Sequence, residues 1–86
     1  VGHLSYFRVD KGYVDFRVRR DDEYWATVRQ LIRKFGKDLK YKQATGLFSI
    51  PNTGRGMARL ATIFPEEWQI VISLDTDEIT FNEGEQ

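Results

Sequence analysis

Lysine and arginine are the residues of this chain with the most chemistry to offer, and all thirteen lie before residue 60. Arg17, Arg19 and Arg20 cluster at the end of one alternating run. Arg29, Arg33, Lys34 and Lys37 recur within a helical pattern, and Lys40 and Lys42 share one side of a further run. Bases gathered this way suit phosphate binding, because neutralising several phosphates releases counterions and gives salt-sensitive, sequence-independent affinity. The competing reading is a solvated helix face whose long side chains cover apolar surface. The charge distribution weighs the two readings about evenly and is a sign of a polyanionic partner or an acidic tail: residues 1–59 carry a net +7 and residues 60–86 a net −7, so the formal neutrality conceals two opposed segments.

Tyr13 and Tyr41 fall among these bases, where a ring can stack on a nucleobase for about 1–3 kcal/mol, or else pack at a sheet edge. The segment Thr53-Gly54-Arg55-Gly56 leads into a helical pattern and sets Arg55 beside free backbone amides. It lacks the length and the lysine of a Walker loop. Candidate nucleic-acid contacts are therefore Arg17, Arg19, Arg29, Arg33 and Lys37, then Lys40, Tyr41 and Lys42, with Arg55 outlying. Catalysis has little to draw on, since His3 is the one histidine and there is no cysteine. Glu66-Glu67 and Asp75/Asp77 fall short of a calcium loop, which needs about six oxygen ligands. No catalytic set, metal or cofactor is expected.

These side chains must be held by a few short elements. Tyr6–Val9 is a strand candidate, followed by Asp10-Lys11-Gly12, a three-residue hairpin connection in which Gly12 supplies positive φ. The next run alternates strictly, with Val14, Phe16 and Val18 on the inner side and Tyr13, Asp15, Arg17 and Arg19 outside. Asp21 or Asp22 can cap a helix in which Trp25, Val28, Leu31, Ile32 and Phe35 form the apolar stripe, ended at Gly36. Leu39–Gln43 and Leu47–Ile50 form a second hairpin around Thr45-Gly46, closed by Pro51. Met57–Phe64 reads as a short helix stopped by Pro65, and Trp68–Leu74 as a central strand. Ile79–Phe81 is a candidate edge strand. Trp25, Phe35, Phe48, Phe64 and Trp68 are expected in the core.

Eighty-six residues with 41% hydrophobic content make one small domain. The expectation is a domain over residues 1–81 followed by a frayed acidic end, 82–86, cut from a longer intracellular protein. Its class is α+β: a mainly antiparallel sheet with two helices on one face, in the order β-β-α-β-β-α-β.

From Phe7 to Leu74 the order of features resembles the HARP (HepA-related protein) domain of annealing helicases. The similar features are the aliphatic helix Trp25 to Phe35, Tyr41 ahead of Phe48-Ser49-Ile50, the helix holding Leu60, and Pro65 leading to a strand over Gln69 to Leu74. The resemblance implies a non-catalytic accessory module that helps a motor engage branched or single-strand/double-strand junction DNA, with contacts among Arg29, Arg33, Lys40 and Lys42. The rival expectation is a protein-interaction module that uses its opposed charges.

Overall fold

The computed structural model describes residues 2–81. Strands β1 (Leu4–Val9) and β2 (Tyr13–Val18) form the first hairpin, and helix α1 (Tyr24–Phe35) follows. A 3-10 turn (Gly36–Asp38) leads to β3 (Lys40–Lys42) and β4 (Leu47–Pro51). Helices α2 (Gly54–Ile63) and α3 (Pro65–Leu74) precede a short strand, β5 (Glu78–Thr80). The five strands form one antiparallel sheet in the order β3-β4-β2-β1-β5. The expected α+β class and mainly antiparallel sheet are therefore present.

Register explains how the sheet divides core from solvent. Phe7 pairs with Phe16 and with Ile79, while Val14 pairs with Ile50 and Phe16 with Phe48. Because paired residues share a face, these side chains form one apolar surface. Leu31 of α1, Leu60 of α2 and Phe64 between α2 and α3 are fully buried in the same core. Trp68 of α3 meets Phe7 edge-on at 5.4 Å, and Phe16 stacks on Phe48 at 5.7 Å. All three helices thus cover one face and leave the other open.

Three expectations are corrected. Trp68–Leu74 is helical, not a central strand. Pro65 occupies the start of α3 and Glu66 and Glu67 lie in its first turn, where a preset φ and negative charge favour a helix. Proline therefore opens this element as well as following α2, and it makes three α-helices where two were expected. The apolar stripe of α1 is also rotated: Tyr24, Thr27, Val28, Leu31 and Phe35 are buried, whereas Trp25 is 65% exposed and Ile32 54%. The expected core tryptophan Trp25 is a surface residue. Finally, among the described glycines positive φ occurs at Gly36 (57°) and Gly46 (72°), not at Gly12. Gly36 ends α1 as expected, donating its N–H to the Ile32 carbonyl. The predicted acidic end lies outside the described residues.

Candidate nucleic-acid interface

The bases separate onto different sides of the molecule, and α1 carries the least compensated group. Its sequence from Tyr24 to Phe35 contains no acid. Trp25, Arg29 and Arg33 are four residues apart, a spacing that aligns side chains along one side of a helix, and all three are exposed. Lys37, in the 3-10 turn that follows the helix end at Gly36, is also exposed. No described carboxylate forms an ion pair with Arg29, Arg33 or Lys37. At the start of the helix the Tyr24 and Trp25 rings meet edge-on at 5.1 Å, and the Arg20 guanidinium lies 4.4 Å from the centre of the Tyr24 ring. Burial pushes the Tyr24 hydroxyl pKa up, against the opposing pull of Arg20. A run of exposed cations interleaved with an open indole results.

The phase of α1 produces this exposure. Tyr24 and Thr27 take inward positions, and Thr27 donates its hydroxyl to the Glu23 carbonyl at 2.7 Å. Asp21 accepts the Glu23 N–H at 2.9 Å and so shapes the turn that starts the helix. Once these residues face inward, Trp25 must face outward.

The helix-free face of the sheet is more nearly balanced. Asp15 pairs in register with Arg8 and with Ser49, and Lys40 also pairs with Ser49; Lys40 and Lys42 are therefore on this side. Both lysines, with Tyr13, Asp10, Asp15 and Ser49, line a shallow depression of about 310 Å³. Arg8 and Ser49 both donate to the Asp15 carboxylate. Burial raises the Asp15 pKa, but the hydrogen bonds from Ser49 and Arg8, with the charges of Arg8 and Lys42, outweigh it and hold the group below the usual carboxylate range. Arg8 is correspondingly raised by its bond to Asp15. Arg17 lies 4.9 Å over the Tyr6 ring and donates from Nε to the Thr45 carbonyl at 3.0 Å. Tyr6 in turn donates to Glu78, and burial together with that carboxylate raises its pKa.

Among the predicted contacts, then, Arg29 and Arg33 align along α1, and Lys37 is exposed in the turn that follows it. Arg17, Lys40 and Lys42 share the open sheet face, but Arg17 lines a different depression, with Arg20, Tyr24 and Thr45. Tyr41 does not join the lysines beside it in sequence: alternation turns it to the opposite face, where its ring lies 4.7 Å from Phe48. Arg19 is half-buried beyond β2. Arg55 lines a separate depression with Arg59, Phe35 and Asp38, and Thr53 caps α2 by accepting the Gly56 N–H at 3.0 Å. Sequence reasoning missed Trp25 as a surface ring, although its position four residues before Arg29 was a usable signal.

No family model, curated protein or solved structure matches this chain. Gln69–Leu74, expected as the closing strand of the HARP-like order, is helical.

Proposed function

We propose that this domain is a non-catalytic nucleic-acid-binding module, an accessory part of a larger DNA-processing protein such as a helicase, and that α1 is its contact surface. One observation carries the reading: an exposed tryptophan is aligned with Arg29 and Arg33 on a helix that has no acid. Cations supply phosphate affinity and the indole supplies a stacking surface for an unpaired base. A base at a junction or in a single strand is free to stack, whereas a base inside a duplex is not. The open sheet face contributes less, because Arg8 is engaged by Asp15 and Arg17 by Thr45 and Tyr6.

Titrating labelled single-stranded, forked and duplex DNA at several salt concentrations tests the proposal. Three to four phosphate contacts predict a log K against log salt slope of about −2 to −3 on single strands, at roughly −0.7 per contact. Forked and single-stranded probes should bind more tightly than the duplex. Binding that is indifferent to salt, or absent at low salt, contradicts the reading.

A protein-interaction role has its own support in α3, where Ile70, Ile72 and Leu74 are exposed. Sedimentation over a concentration series distinguishes the two: a dimer that forms without DNA favours interaction, and a monomer that binds DNA favours the first reading.

A further inference from the structure

We propose that His3, Glu66 and Glu67 form a binding site for one first-row divalent cation, of which Zn²⁺ is the natural representative. His3 Nδ1 lies 2.9 Å from Glu67 Oε2 and 3.5 Å from Glu66 Oε1. One ligand atom from each of the three residues fits within a 4.8 Å span. Ligands held about 2.0–2.2 Å from a tetrahedral ion lie roughly 3.3–3.6 Å apart, so small side-chain shifts admit a cation among them.

An independent observation points to a missing ligand. Glu67 is only 5% exposed, yet its Oε1 is buried without a hydrogen-bond partner among the described residues. Leaving a carboxylate oxygen buried and unsatisfied is costly. A cation bound by both oxygens of this carboxylate would satisfy Oε1 as well as Oε2.

The backbone holds His3 in place. Its carbonyl accepts the Arg19 N–H at 2.7 Å, and Gly2 is packed so closely against Thr27 that a Cβ there would overlap the threonine side chain. Glu66 and Glu67 are carried by the first turn of α3. An imidazole with two carboxylates favours zinc and related ions over magnesium, which prefers all-oxygen, strongly hydrated sites. Because the ligands are 63 and 64 residues apart in sequence, the ion would tie the start of β1 to the start of α3. Binding only to the folded state must then raise its stability.

Calorimetric titration with ZnCl₂ at neutral pH should give one ion per chain, and saturating zinc should raise Tm by several degrees where equal magnesium does not. Glu66 has a 74% exposed side chain, so Glu66→Gln leaves the fold intact and should weaken zinc about 10–100-fold, as should His3→Ala. Glu67→Gln should abolish the Tm shift. Absence of saturable zinc binding, an equal response to magnesium, or affinity unchanged by both glutamate substitutions would overturn the site. The last result would mean that His3 and nearby backbone bind zinc without the carboxylates.

Discussion

Asp15 illustrates how a charge is kept inside the sheet. Its carboxylate is nearly buried and is held by donors from both neighbouring strands, Arg8 on β1 and Ser49 on β4. Because the folded pKa is depressed, the folded state binds fewer protons than the unfolded chain through the acid range. The resulting stability is complete above the unfolded carboxyl pKa, about 4, and is lost as pH falls through the folded value. Asp15→Asn should cost about 1–2 kcal/mol at neutral pH and flatten the loss of stability as pH falls below about 4; urea unfolding at neutral and acid pH measures both. An unchanged acid limb would contradict the assignment. Trp25 makes a different kind of residue-scale test. Trp25→Ala should leave urea stability within about 0.5 kcal/mol, since the ring is mostly exposed, while weakening single-strand affinity by about 1–3 kcal/mol. A core role would give the opposite pattern.

At the scale of elements, burial decides where periodicity alone is ambiguous. The alternation of Val14, Phe16 and Val18 made β2 legible, and all three are buried. Gly36 likewise marked the end of α1. The inward phase of α1 was harder to read, because Tyr24 and Thr27 compete with Trp25 and Ile32 for the core and the stripe is apolar on both flanks. In α3 the run Ile70-Val71-Ile72 carries strand propensity, but Trp68 and Val71, three apart, are the residues that pack on the core and set a helical period. Tyr41 is next to Lys40 and Lys42 in sequence, yet strand alternation puts it on the other side, against Phe48. The contact of the first residues with α1 was not legible from residue type. Gly2→Ala should therefore destabilise the fold by about 1–3 kcal/mol, with part of the loss recovered in the Gly2→Ala/Thr27→Ala pair. Equal stability of Gly2→Ala and the parent in urea would show that this contact is not formed.

Across the whole molecule, segregation of charge along the chain becomes separation by face. The acid-free α1 and the helix-free sheet face lie on opposite sides of the core, so the thirteen bases do not form a single patch. Acids from the final third are distributed among them: Glu78 is beside Arg8 in register and accepts from Tyr6, and Glu66 and Glu67 face His3. A nucleic acid large enough to engage every base would have to wrap the domain, whereas a strand lying along α1 needs only one side. The most direct measurement compares DNA affinity after charge reversal on each face. Arg29→Glu/Arg33→Glu should reduce single-strand affinity by at least about tenfold and make the salt slope shallower by roughly 1.4, that is, two contacts. Lys40→Glu/Lys42→Glu should change both far less, with urea stability similar in the two double variants. An equal loss from both pairs, or a loss confined to the lysine pair, would contradict α1 as the contact surface.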